Sequence, residues 1–142
     1  MSNQPPGLFQ AAVAAVIINE RNETLITQRS FARKHHPGKW EIMTGRLNQG
    51  ESFLEALARE AMEELNIELE PVKLLSTFHF FRGLEKVEHL GVNYLCRIKA
   101  GAVKVDGVEE IACRWVNLDE ALKTIEDESI RGVLTLVKAE LK

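Results

Sequence analysis

Residues 45–67 read GRLNQGESFLEALAREAMEELNI, and four acids in this stretch, Glu51, Glu60, Glu63 and Glu64, recur at spacings that chemistry could use. On a helix of 3.6 residues per turn, Glu60, Glu63 and Glu64 share one face, while Leu54, Leu57, Ala58, Ala61 and Leu65 are expected on the other. Gathered carboxylates repel and raise one another's pKa, and a hard divalent cation among them relieves that cost. The stretch therefore reads as a candidate cation site. An all-oxygen donor set suits magnesium or manganese, and no His or Cys stands at ligand spacing near the helix to suit zinc. Arg59, flanked by acids, is placed to orient Glu51 or a neighbouring carboxylate through a charge-assisted bond. Gly45 and Gly50 punctuate the segment as a loop that feeds the helix.

The elements that must position these residues follow from the pattern around them. Ser52 with Glu55 three residues on is a capping-box pair that starts the helix, and Asn66, which tolerates the left-handed conformation, is expected to end it. Upstream, the apolar run LFQAAVAAVIIN reads as a buried strand, Asn19 to Asn22 supply a turn, and TLITQRS reads as a second strand paired to the first as a hairpin. Arg29 closes that strand. FARKHHPGKW, with His35, His36, Pro37 and Gly38, has the composition of an exposed loop, and EIM of a short strand. Downstream, PVKLLSTFHFFR and VEHLGVNYLCRIK read as two long strands joined by a turn, followed by a strand ending at Trp115 and Val116 and by helices over 119–125 and 129–141. Residues 1–7, polar with Pro5 and Pro6, read as a loose arm. Strands interleaved with helices over 142 residues predict one α/β sandwich domain spanning 1–142.

Composition narrows the partners. A net charge of −3 and a pI near 5.8, with lysines and arginines scattered rather than striped, exclude a polynucleotide-tracking surface. The apolar run near the start is too short to span a bilayer and lacks a basic residue before it, so no membrane role is expected. Cys96 and Cys113 make neither a disulfide framework nor a close metal pair, which points to free thiols in a reducing cytoplasm.

Gly45, five residues, Glu51, seven residues, Arg59-Glu60, then Glu63-Glu64 and Ile67 resemble the signature of the Nudix hydrolases, the MutT-like family. The departures are Asn66 where the family has Gly and Ala61 as a weakly apolar residue; WVNLDEAL later in the chain looks like a usual flank of the family, and the likeness covers most of the chain. The resemblance implies an α/β/α sandwich with a central mixed sheet and a catalytic loop-helix-loop. It implies metal-dependent pyrophosphohydrolysis of a nucleoside diphosphate linked to another group, nucleoside triphosphates included, with Mg2+ or Mn2+. Glu60 and Glu64 would be the principal ligands, Glu63 a second-metal or water-bound ligand, and a main-chain carbonyl near Thr44 or Gly45 would complete the shell. A distant acid is expected from Glu109 or Glu110, with Glu109 favoured, and Glu60 or Glu109 as proton acceptor. Arg29 and Lys39, with His35 and His36, are candidates to hold substrate phosphate, and Phe78, Phe80, Phe81 and Tyr94 to stack a base. A homodimer is compatible with this reading. The alternative is a non-catalytic relative that senses a nucleotide or holds a partner, but relatives of that kind lose signature acids, and here all five charged positions stand.

Overall fold

The computed structural model describes residues 6–141, so the sequence-predicted arm over 1–7 falls largely outside them; Pro6 and Gly7 have no regular structure. In chain order the elements are β1 (Gln10–Ile17), β2 (Glu23–Arg29), β3 (Trp40–Glu41), β4 (Met43–Arg46), α1 (Phe53–Leu65), β5 (Glu68–Arg82), β6 (Val87–Ala100), β7 (Glu110–Asn117), α2 (Leu118–Thr124) and α3 (Glu128–Glu140). Four strands form a central mixed sheet in the order β4-β1-β6-β5, with β1 and β6 parallel and the other pairs antiparallel. A second, antiparallel sheet runs β3-β2-β7.

Strand alternation explains the layers. Along β1, Val13, Ala15 and Ile17 join Leu57, Ala61 and Leu65 of α1 in one core, while Ala14 and Val16 join Ala121, Val133, Leu134 and Val137 of α2 and α3 in another. Successive side chains thus seal opposite faces, and the expected sandwich of helices around a mixed sheet is present.

Three expectations are corrected. β1 and β2 are not a hairpin: beyond the single bridge between Ile18 and Thr24 they part into different sheets. The predicted strand EIM is interrupted at Ile42, with β3 in one sheet and β4 in the other, so the chain crosses between sheets here. Leu54 and Ala58 are exposed rather than on the dry side of α1, whose buried residues are Ala56, Leu57, Ala61, Glu64 and Leu65. Glu64 takes a place in the buried arc and leaves Ala58 at its edge, whereas Leu54, in line with Ala61 and Leu65, is exposed in the first turn of the helix.

Boundaries of α1 hold. Ser52 Oγ accepts from the Glu55 amide at 3.1 Å while the Glu55 carboxylate accepts from the Ser52 amide at 3.1 Å, the reciprocal capping box. At the other end Asn66 is left-handed (φ 59, ψ 37) and its amide donates to Met62 O at 3.1 Å. No helix among the described residues is long and apolar enough to cross a membrane.

Candidate active site

Arg59, one turn and a half into α1, reaches back over the incoming loop. Its Nε and Nη2 donate to the two oxygens of Glu51 at 2.7 and 2.9 Å, Nη2 also to Arg46 O at 2.9 Å, and Nη1 to Glu60 at 2.8 Å and Glu63 at 3.2 Å. One guanidinium therefore ties β4, the loop and the helix together. Its hydrogen bonds, with a further one from the Asn48 amide at 2.6 Å, hold the Glu51 carboxyl down to about 2, and Arg59 is itself raised by Glu51.

Gly45 lies within β4, paired with Val13, rather than in a loop. A Cβ at this position would overlap the Glu60 side chain, so glycine here makes room for a carboxylate against the strand. Gly50, at φ +88 with nothing near its missing Cβ, serves the turn instead.

The three helix acids separate. Glu63 is exposed and held by Arg59. Glu60 is largely buried, and Glu64 is 4% exposed on the inward side of α1. Burial pushes the Glu64 carboxyl far up, and its charge and hydrogen-bond coupling to Glu60 pushes in the same direction. Among the described residues, no three His, Cys, Asp or Glu side chains already converge as a ligand set, because Arg59 draws Glu60 and Glu63 toward itself.

Across the cleft stand two further acids. Glu110, at the start of β7, is 1% exposed, has one carboxylate oxygen without a hydrogen-bond partner, and is also driven up by burial and then by its hydrogen bond with Glu41. Glu109, its neighbour, is half exposed and faces the cleft, and among the described residues its carboxylate has only a long contact with Arg33 at 4.0 Å. Asp106 Oδ1 accepts from the amides of Val108, Glu109 and Glu110, each at 3.0 Å, and so fixes this turn.

Arg29, a sequence candidate for phosphate, is 5% exposed and bound to both oxygens of Glu41 at 3.1 and 3.3 Å, with Nε donating to His35 O at 2.8 Å. Lys39 sits at the rim, 2.7 Å from Glu126. His35, His36, Thr44, Phe78, Phe80 and Phe81 also face the cleft, which has a volume of about 940 Å3. Tyr94 does not: it packs with the α1 core on the other side of the sheet. Glu41 and Arg82 line the cleft without having been singled out from the sequence. Glu41 is a buried acid on a two-residue strand, and only its place between the apolar Trp40 and Ile42 could have drawn attention to it.

This arrangement of signature residues on a mixed sheet agrees with the family comparison: the NUDIX domain model matches residues 8–136, and the chain belongs to that family. Among curated relatives, it is similar to the 8-oxo-dGDP phosphatase NUDT18 of Danio rerio (43% identical over 63 residues, 44% of this chain and 19% of the relative). It is also similar to the isopentenyl-diphosphate Delta-isomerase of Salmonella arizonae (27% identical over 119 residues, 80% of this chain and 65% of the relative). The chain thus spans about a fifth of the length of the NUDT18 relative. A crystal structure of a MutT protein from Methanosarcina mazei Go1 superposes with a TM-score of 0.77 at 27% identity, covering 100% of this chain and 99% of that one.

Proposed function

We propose that this chain is a metal-dependent pyrophosphohydrolase that cleaves a diphosphate linkage in a small nucleoside-diphosphate-type substrate. The observation that carries the reading is the buried, under-neutralised Glu64 beside Glu60, on the signature helix and open to one face of the cleft. A carboxylate so placed needs a proton or a cation, and the surrounding donors are oxygens, which fits a hard divalent ion such as Mg2+ or Mn2+. Glu60 and Glu64 would hold it, with Glu63 and a main-chain carbonyl of Thr44 or Gly45 contributing. When bound, such an ion neutralises phosphate charge and acidifies water.

The protein's own groups supply the rest. Arg59 fixes Glu51 and Glu60 in place and thereby holds the loop against α1. Glu109, half exposed and free of short ion pairs, is the better-placed acceptor for the proton of the attacking water, whereas Glu60 is engaged by Arg59. Water attacks one phosphorus, the bridging P–O bond breaks, and the leaving phosphate oxygen keeps the electron pair. Lys39 and the neighbouring cations of the cleft wall hold the anionic substrate. Free Cys96 and Cys113 support a reducing, cytoplasmic setting.

The NUDT18 relatives are named for a nucleoside diphosphate and the isomerase relative for an isoprenoid diphosphate, so the diphosphate is the group these relatives share. A screen of nucleoside diphosphate derivatives with magnesium and with manganese, with products read by mass, tests the reading. The expected result is monophosphate-containing product that needs the metal. Binding without turnover across the whole set would instead identify a non-catalytic sensing module.

A further inference from the structure

Arg29, Arg33 and Lys39 of the cleft each face a carboxylate: Glu41 at 3.1 Å, Glu110 at 3.8 Å and Glu126 at 2.7 Å respectively. Arg82, at the end of β5, does not. Among the described residues it makes no hydrogen bond or ion pair, and its guanidinium lies over the Phe80 ring, 5.1 Å from the centroid. Phe80 is itself braced, stacked on His89 at 4.8 Å and on Phe78 at 5.8 Å. His89 is held in turn by its Nδ1, 3.0 Å from Val87 O. Phe78 lies in a space that exists only because residue 91 is glycine, where a Cβ would overlap the ring.

The charges around Arg82 are Arg29, Glu41, Arg46 and Arg33, three cations and one acid that Arg29 already holds; burial and then Arg29 lower its pKa, and Glu41 opposes them. Arg46 has no acid partner among the described residues for its side chain, and His35 closes the same corner, its ring near the turn at Gly83. A half-buried guanidinium pinned by an aromatic stack and surrounded by cations is a costly arrangement unless an anion arrives. The fork of a guanidinium matches a phosphate bidentately.

Position decides which phosphate. Gly45 and Glu60 stand at the β4 edge of the mixed sheet, whereas Arg82 lies on β5 at the opposite edge, further along the strand than Thr77, the residue level with Gly45. We propose that Arg82, held on Phe80, grips a further phosphate group of the substrate, one other than the two joined by the linkage that is cleaved. Such a group is either the terminal phosphate of a nucleoside triphosphate or a phosphate on the ribose. The inference rests on the hydrolase reading for its kinetics, though not for its binding.

The test compares three substrates of one nucleoside, the 5′-diphosphate, the 5′-triphosphate and the 3′-phospho-5′-diphosphate, on wild type, Arg82→Ala and Phe80→Leu. In Arg82→Ala, KM for one of the two substrates with an added phosphate should rise about ten times more than KM for the plain diphosphate, with kcat changing less than KM. The substrate that responds names the source. Phe80→Leu, which keeps the charge and removes the brace, should show a smaller rise for the same substrate. Equal factors for all three substrates, or no change in any, overturn the proposal. Arg82→Ala should also melt at or above the wild-type temperature without ligand, since it removes an unpaired cation; a fall of several degrees would mean a structural role and likewise overturn it. If wild type hydrolyses none of the three, calorimetry without metal decides. Binding of the nucleoside 3′,5′-bisphosphate or of inorganic tripolyphosphate that weakens about tenfold in Arg82→Ala sustains the phosphate grip while the hydrolase reading falls. Unchanged binding in the variant sinks the grip alone.

Discussion

Two groups of acids lie within one cleft and have opposite solutions to the same problem. On the outer side of α1, Glu51, Glu60 and Glu63 share the donors of Arg59, and Glu51 is held well below the ordinary carboxylate range. On the inner side, Glu64, Glu41 and Glu110 are buried with two cations, Arg29, which Glu41 takes for itself, and Arg33, 3.8 Å from Glu110; Glu64 and Glu110 are nevertheless pushed up. Each member of the first group has a donor in Arg59, which holds the loop as scaffold, while Glu60 also adjoins Glu64 of the second. The second is left incomplete by the fold, at a place where hydrogen bonds between acids substitute for counter-ions. A fold that tolerates this gains a site that responds to an arriving cation.

The comparison breaks most visibly at Glu64. Glu64→Gln should lower metal-dependent turnover by about a thousandfold or more, because it removes the buried ligand from a reaction that depends on charge neutralisation. The same variant should melt, without metal, at or slightly above the wild-type temperature, since a buried acid that already carries a proton is close to the amide in shape and charge. An unfolded variant would place Glu64 in the scaffold and erase the distinction between the two groups.

Arg59→Ala addresses the other side, with a stability effect where Glu64→Gln has none. Removing the guanidinium leaves Glu51 and Glu60 facing each other without their donor, and breaking charged hydrogen bonds in a site about a quarter exposed costs about 2–3 kcal/mol. Chemical denaturation reads this directly. A loss below about 0.5 kcal/mol would make Arg59 an ordinary surface ion pair.

The same contrast explains what the sequence could convey. Residues 45–67 form a local unit, so the spacers alone place Arg59 over Glu51, start α1 at the Ser52–Glu55 box and stop it at Asn66. Glu41 and Arg82 were illegible because their roles depend on pairings made far away: Glu41 meets Glu110 only through the β3-β2-β7 sheet, and Arg82 meets its cations only because β5 closes the edge opposite β4. The β1–β2 hairpin fails for the same reason: the turn itself forms, with Asn19 Oδ1 accepting from the amides of Arg21 and Glu23 at 2.9 and 3.0 Å, but distant strands then take each partner, β4 and β6 for β1 and β3 and β7 for β2. Even Gly45, legible as a required glycine, had its reason hidden, since the contact it permits is with a residue fifteen positions on.

The smallest and most diagnostic effect is on the pH dependence of stability. Glu64 and Glu110 have folded-state pKa values above the unfolded carboxylate value of about 4.3, so between those values the folded state binds more protons than the unfolded one. Their contribution is therefore fully present below pH of about 4.3 and is lost as pH rises toward their folded values. Glu51 has the opposite sign: its folded pKa of about 2 gives stability that is present above pH of about 4.3 and lost as pH falls toward 2. Without a divalent cation, the melting temperature should thus decline from mildly acid to mildly alkaline pH, and less so in Glu64→Gln. Magnesium competes with the proton on Glu64, so its stabilisation should grow with pH. At about 100 times its Kd it should raise the wild-type melting temperature by roughly 5 °C or more, and that of Glu60→Gln by less. A magnesium shift equal in the two proteins, or one independent of pH, would detach the cation from the inner acids and leave their burial without a chemical purpose.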